Sequence, residues 1–474
     1  MVKNGKCTTK VVVKNGKCTT KVVVKNSNKY YLAYIITVLR RKISDILLEW
    51  KNSPRKKSLL VRGARQVGKT FIIEDFAKKN YDNYIYINFE LSPRMKKIFE
   101  GDLDVDSLVR NLSIRFPTIK FEPGNLLIFL DEIQSCPKAR TSLKSFSIDG
   151  RFDVIATGSL LGINYKDVPS YPVGYETTVE LRSLDFEEFL WAMGVNEEVI
   201  LYVSDAIHRK KPIDESILEK MEEYYRFYAI VGGMPSVVNR FIETNSFGEV
   251  LLAQKEIIAG YLDDISKYAP TSDKSRIKNT FRSIPIQLAK KNKKFSYSLI
   301  EGYKPGEGSK TYGSSLSWLY DAGIVSFCYN LQEPSLPLAS NIKLDSFKIF
   351  MNDPGLLMSI MEKGVDIAFL DGDMKINKGG IVENLTADIL LKKNFPLTYF
   401  ERKGRLEVDF ILNLGGIVTA LEVKSGNNKL SKSLDAVMSE KYNVERGIKL
   451  EITNNYVDEA GVEHYPLFAV AFLF

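Results

Sequence analysis

Residues Gly63, Ala64, Arg65, Gln66, Val67, Gly68, Lys69 and Thr70 read G-x-x-x-x-G-K-T, between a short apolar strand at 57–62 and a helical stretch at 71–79. The two glycines let the backbone curl so that successive N–H groups face phosphate oxygens, and the positive end of the following helix adds to that field. Lys69 is expected to reach the β- and γ-phosphates, and the Thr70 hydroxyl to take a place on Mg²⁺. An unbroken apolar run at 126–130 ends in Asp131 and Glu132, as a buried parallel strand does where its carboxyl end meets ligand. Asp131 is placed to hold magnesium through its water shell, and Glu132 to orient and deprotonate an attacking water. A further strand at 152–156 leads to Ser159, which is read either as a γ-phosphate sensor or as a plain strand-end turn.

A second group of chemistry-bearing residues lies near the C-terminus. A strand at 406–412 alternates and carries Asp409; the Gly415-Gly416 turn joins it to a strand at 418–423 that runs into Glu422-Val423-Lys424. Period-two geometry puts Glu422 and Lys424 on one face, and the turn brings Asp409 beside them. A helix at 381–392 supplies Glu383. Carboxylates in this arrangement hold one or two Mg²⁺ ions that polarise a phosphodiester and acidify a water, and the lysine steadies the added negative charge. The same charges are also what a salt-bridged sheet face would carry.

Between the two groups the spacing predicts helices at 185–194, 217–229 and 247–268, read as a lid behind the nucleotide site. Helices at 276–291, 297–299 and 311–322 and a strand at 324–329 then suggest a winged helix. With 311–320 as recognition helix and Lys290, Lys291, Lys293 and Lys294 on phosphates, this unit would read duplex DNA. Leu316, Trp318, Leu319 and Tyr320 crowd that helix with apolar bulk, and a protein-packing role stays open.

Composition bounds the alternatives. Met1–Tyr30 holds eight lysines and no acid, which equals the whole formal net charge of +8; the rest of the chain is neutral. The 11-residue unit VKNGKCTTKVV starts at Val2 and again at Val13, with VKN once more at Val24. Two copies cannot stack into a solenoid, so 1–37 reads as a low-complexity extension or translated repeat without chemistry. Four cysteines and two histidines among 474 residues argue against a disulfide framework, a zinc site or a catalytic triad, and favour a reducing, cytoplasmic setting. The apolar run at 30–39 is too short for a bilayer.

The segments GARQVGKT, LIFLDEIQ, TGSLLG, LRSLDFEEFL at 181–190 and GGMP at 232–235 resemble a prokaryotic family of AAA-type ATPases, often described simply as ATP-binding proteins. That family joins its core to a C-terminal domain of unknown function that resembles PD-(D/E)XK nucleases. The resemblance runs from about Val38 to the end. It implies nucleotide binding through Gly63–Thr70 and hydrolysis with Asp131 and Glu132. It departs at 171–178, YPVGYETT, where relatives commonly carry basic residues; Arg151 and Arg182 are the nearest arginine-finger candidates, and each also fits a solvated surface.

The expected fold is α/β: a P-loop NTPase parallel sheet at 38–184, a helical lid at 185–275, a winged-helix-like unit at 276–375 and a PD-(D/E)XK-like domain at 376–474. Expected catalytic residues are Lys69, Glu132, Asp409, Glu422 and Lys424; expected metal ligands are Thr70, Asp131, Glu383, Asp409 and Glu422. ATP and Mg²⁺ are the expected cofactors. Expected partners are DNA or RNA, a protein, or further copies of the chain, and no membrane.

Overall fold

The computed structural model describes residues 7–14, 17–26, 29–33, 38–160, 174–290, 292–372, 378–402, 406–426, 432–439 and 442–474. The segments 161–173 and 427–431 and Lys291 of the lysine cluster lie outside the described residues. In the repeat region β1 (Cys7–Lys14), β2 (Lys17–Asn26) and β3 (Lys29–Ala33) form an antiparallel sheet in the order β1-β2-β3. Regular structure was not expected there; runs of Thr and Val favour extended backbone, and the two copies pair with each other from Cys7↔Val24 to Lys14↔Lys17.

The core that carries the glycine loop is an α/β unit around five parallel strands. These are β4 (Ser58–Gly63), β5 (Asn83–Asn88), β6 (Leu126–Asp131), β7 (Asp153–Ser159) and β8 (Glu176–Glu180), in the order β5-β6-β7-β4-β8. Strand β7 thus stands between the strand that feeds the glycine loop and the strand that ends in Asp131. Every residue of β6 and β7 is buried, as expected of parallel strands covered on both faces. The helix Lys69–Asn80 starts directly at the loop, with Gly68 at φ +90°, a backbone conformation that favours glycine.

The segment Leu181–Leu184 leaves this sheet and enters a helix over Phe186–Ala192, closed by a capping box between Asp185 and Glu188. Helices over Glu215–Val231, Pro235–Thr244 and Phe247–Tyr268 follow. Gly232 and Gly233 lie where three segments meet. A Cβ on Gly233 would stand 2.7 Å from the Leu184 nitrogen, and one on Gly232 would collide with the Asp353 carboxylate. Leu184 N–H donates to the Gly233 carbonyl at 2.7 Å, and Gly233 N–H donates to Asp353 Oδ2 at 2.8 Å.

In the middle region a helix over Lys274–Ala289, a 3₁₀ turn at Tyr297–Leu299 and a helix over Ser309–Asp321 precede the antiparallel pair β9 (Val325–Leu331) and β10 (Ile342–Met351). The stretch expected as a middle helix is only that three-residue turn. Tyr312, Leu316, Trp318 and Leu319 of the proposed recognition helix are buried in the common core.

C-terminal to these, the helix Gly379–Lys392 carries Glu383. Strands β11 (Thr398–Arg402) and β12 (Leu406–Val408) join the β9–β10 pair in the order β10-β9-β11-β12. A separate sheet of β13 (Phe410–Leu414), β14 (Ile417–Val423), β15 (Arg446–Glu451), β16 (Tyr456–Val457) and β17 (Glu463–Pro466) runs in the order β13-β14-β15-β17-β16. The alternating stretch expected as one strand at 406–412 is therefore two. It breaks at Asp409, where the chain passes from one sheet to the other, and both halves are ladder-bonded to different partners. Among the described residues no helix is long and apolar enough to cross a membrane.

Candidate functional site

At the carboxyl ends of β4, β6 and β7 the glycine loop and the acidic strand end come together. The Lys69 ammonium is buried and donates to the carbonyls of Gly63 at 3.0 Å and Ala64 at 2.8 Å. Burial lowers its pKa to about 8, against the pull of Glu132 and Asp131. Thr70 Oγ1 donates to Asp131 Oδ2 at 3.0 Å, so the hydroxyl and carboxylate expected around one magnesium already touch. Tyr86 and Asn88 of β5 donate to the same oxygen at 3.0 and 2.9 Å, and Thr157 of β7 donates to Oδ1. Asp131 is thus fixed by side chains from both neighbouring strands, and sequence spacing alone identified none of them.

Glu132 has left the strand, with φ +53° and ψ +48°. That left-handed turn is uncommon for a non-glycine residue, and it carries the carboxylate away from the strand direction. Gln134 donates to Glu132 Oε2 and lies 3.5 Å from Ser159 Oγ. Burial raises the Glu132 pKa, while the Gln134 contact opposes it. A carboxylate pushed in that direction is a better proton acceptor near neutral pH.

A cavity of about 630 Å³ opens beside the loop, lined by Leu39, Arg41, Gln66, Gly68, Phe71, Pro235, Asn239 and Arg240. Its size suits a nucleoside. Asn239 Oδ1 is buried there without a hydrogen-bond partner, which leaves a polar atom for a ligand to satisfy. The residues present therefore fit a phosphate group held at the loop with its base in the cavity. Arg41 is buried, bonded to the carbonyls of Val67 and Arg182 and paired with Glu188 at 3.1 Å; it braces the loop. Pro235, the last residue of GGMP, begins the helix Pro235–Thr244 that also carries Arg240, so that motif leads into one wall of the cavity. On the other side of the loop, Arg65 reaches Asp264 at 2.9 Å and the Tyr268 hydroxyl at 3.1 Å on the helix Phe247–Tyr268. Of the two finger candidates, Arg151 is paired with Asp149 and Asp106, and Arg182 with Glu180 at 3.0 Å.

The second group also converges. Asp409 Oδ2 accepts the Val423 N–H at 2.9 Å, which sets the β12–β13 break against the end of β14. Lys424 donates to Glu422 Oε1, and Glu422 Oε2 is buried without a partner. Burial raises the Asp409 and Glu422 carboxyls; Glu383 and Glu422 push Asp409 further, and Lys424 draws Glu422 back. Two side chains that sequence reasoning did not assign here enter from the middle region. Lys293, expected on phosphates, instead donates to Glu383 Oε1. Lys348 of β10 is fully buried and reaches Glu407 at 2.8 Å, Glu383 at 3.5 Å and Asp409 at 3.7 Å. A lone lysine inside the apolar run FKIFM was the available signal. Against burial, Lys348 and Lys293 hold the Glu383 carboxyl below its usual range. Among the described residues no group of three or more histidine, cysteine, aspartate or glutamate side chains could hold a metal ion, so the expected ligand set Glu383, Asp409 and Glu422 is not assembled here: Glu383 has both oxygens on lysines, and Glu422 Oε2 is left buried and unpartnered.

Comparison with known proteins matches the stretch that holds the first group of residues to a domain type and gives none for the second beyond domains of unknown function. Residues 55–190 match the family model for an AAA domain. Residues 222–366 match the domain of unknown function DUF8612, and 378–469 match the domain of unknown function DUF4143. An uncharacterized protein of Methanocaldococcus jannaschii, MJ1544, is 24% identical over 387 residues, covering 79% of this chain and 76% of that protein. Similar solved structures include the Aeropyrum pernix ORC1 protein in complex with DNA, at 12% identity and TM-score 0.28, covering 72% of this chain and 94% of that one. A Thermotoga maritima RuvB variant gives 14% identity and TM-score 0.28, with 60% and 87% covered. Residues 55–190 are thus similar to an AAA domain, and they carry the glycine loop and its helix on a five-stranded parallel sheet.

Proposed function

We propose that this protein binds and hydrolyses ATP with Mg²⁺ at Gly63–Thr70, and that the nucleotide state governs a Mg²⁺-dependent, nucleic-acid-processing domain at its C-terminus. The observation that carries the first half is the meeting of Thr70 with Asp131 beneath the loop, with Glu132 turned out of the strand beside them. Here Lys69 contacts the β- and γ-phosphates, the loop N–H groups hold their oxygens, Thr70 and Asp131 hold the cation, and Glu132 takes the proton of the attacking water. The approach of Gln134 to Ser159 at 3.5 Å supports reading Ser159 as the γ-phosphate sensor. Bound Mg²⁺ supplies neutralisation of charge on the phosphoryl oxygens.

The second half rests on Asp409, Glu422 and Lys424 meeting at the end of β14, in the manner of PD-(D/E)XK nucleases. The rival is an ATPase switch whose C-terminal domain only binds a protein or nucleic-acid partner. The lysines engaged by Glu383 favour that rival, as does a neutral body charge, since non-specific nucleic-acid affinity rests on phosphate neutralisation.

The test is cleavage of plasmid and of short single- and double-stranded DNA and RNA with Mg²⁺ or Mn²⁺, with and without ATP, beside Lys424→Ala and Lys69→Ala. Cutting that depends on ATP and is lost in both variants supports the coupled reading. ATP hydrolysis without cutting of any substrate establishes the switch.

A further inference from the structure

The cavity beside the glycine loop has two unlike linings. Leu39, Phe71 and Ile72 supply apolar surface, and the Phe71 ring, in the first turn of the helix Lys69–Asn80, is 43% exposed. The helix Pro235–Thr244 supplies the rest. It packs Val237, Val238 and Phe241 into the core and brings Ser236, Asn239, Arg240 and Glu243 to the cavity. Spacings of three and four residues keep these four side chains on one helix face. Apolar surface of the first kind takes the face of a base, and a few placed polar groups fix its edge.

Within that polar stripe one atom differs from the others. Ser236, Arg240 and Glu243 are exposed, so water can satisfy them. Asn239 Oδ1 is buried and has no hydrogen-bond partner. Arg41, the other long polar side chain buried in the lining, is already held by the Val67 and Arg182 carbonyls and by Glu188. An amide oxygen can only accept, and a buried acceptor left without a donor is costly until a ligand brings one. Adenine offers a donor at its six-position amine, where guanine and hypoxanthine carry an oxygen that can only accept.

We propose that Asn239 selects the base: its Oδ1 accepts a hydrogen bond from the six-position amine of adenine, so the site takes ATP in preference to purine triphosphates that carry oxygen or hydrogen at that position. The proposal rests on the reading of Gly63–Thr70 as an ATP site and adds to it the side chain that recognises the base. The GGMP segment then has a part in base choice, because its Pro235 is the first residue of the helix and Asn239 follows one turn later.

The experiment measures the affinity of the full-length protein, with Mg²⁺, for three nucleotides by displacement of a ribose-labelled fluorescent ATP analogue. They are ATP, ITP, with oxygen in place of the amine, and purine riboside triphosphate, with hydrogen there. Wild type is expected to hold ATP about tenfold more tightly than either of the others, about 1.4 kcal/mol. Asn239→Leu brings the three within about twofold, while Asn239→Asp, which still accepts, keeps the preference for the amine. The ratio between nucleotides is the deciding quantity, since a variant that only loosens the helix weakens all three together. Equal affinity of wild type for ATP and ITP, a preference for ITP, or a wild-type ratio in Asn239→Leu would each overturn the proposal while leaving nucleotide binding standing. No binding of any nucleotide by wild type would overturn the ATP reading as well. If Asn239→Leu does not fold by circular dichroism, the wild-type ratio and its retention in Asn239→Asp decide.

Discussion

Burial places the Lys69 pKa at about 8, so nucleotide binding is expected to take up a proton above that pH. The phosphates bring negative charge to the ammonium and hold it protonated in the complex. At pH 7 about a tenth of the free protein lacks the proton, and at pH 8.5 about three quarters does. Binding should therefore take up close to ~0.1 proton per site at pH 7 and ~0.75 at pH 8.5, and the ATP dissociation constant should rise about tenfold between pH 7 and 9. The same group has a sign for stability. The folded value lies below the unfolded 10.5, so between about 8 and 10.5 the unfolded chain binds more protons, and the free protein gains stability as pH rises. The gain approaches about 3 kcal/mol, because burial of the ammonium outweighs the pull of Glu132 and Asp131 on it. Titration calorimetry in two buffers of different ionisation enthalpy measures the uptake directly, with Lys69→Arg, which stays charged throughout, as control. An uptake at pH 8.5 equal to that of Lys69→Arg would refute the reasoning.

Glu132→Gln should retain ATP binding and lose at least about a hundredfold in turnover, the usual scale for removing a general base; normal steady-state hydrolysis would remove Glu132 from that role. Gly233→Ala drives a methyl group into Leu184 backbone, which neither side can yield, so a loss of more than about 3 kcal/mol is expected in denaturant melts. Arg65→Ala gives up the Asp264 and Tyr268 contacts; as the arginine is about a third exposed, only about 1 kcal/mol or less is expected. Its signature should be faster hydrogen exchange confined to the last turns of Phe247–Tyr268.

The nucleotide site was legible because its determinants are local. A curled loop needs Gly63 and Gly68 at fixed spacing, and a buried strand must be apolar up to the residue that meets ligand. What spacing could not show were groups brought from other strands or later helices: Tyr86, Asn88 and Thr157 on Asp131, and Asn239 and Arg240 across the cavity. The alternation at 406–412 was real, yet one pattern covered two strands, since residue period says nothing of which partner a strand chooses. Lys293 shows the same limit. An exposed-looking lysine run suggested phosphate contact, but the acid that captures Lys293 lies 90 residues away.

The two charged sites are joined by a short sequence of tight contacts. Gly63 of the loop packs against the Leu181 carbonyl, three residues before Leu184, whose N–H is bonded to Gly233. Gly233 in turn donates to Asp353, two residues beyond β10, the strand that carries Lys348 into the carboxylate cluster. The glycines at 63, 232 and 233 each lack room for a Cβ against the next segment, so the three segments pack backbone to backbone with little slack between them. Under the proposed function, a nucleotide on the loop would bear on this series where Gly63 meets Leu181, and β10, which seats Lys348 among Glu383, Glu407 and Asp409, would be its far end.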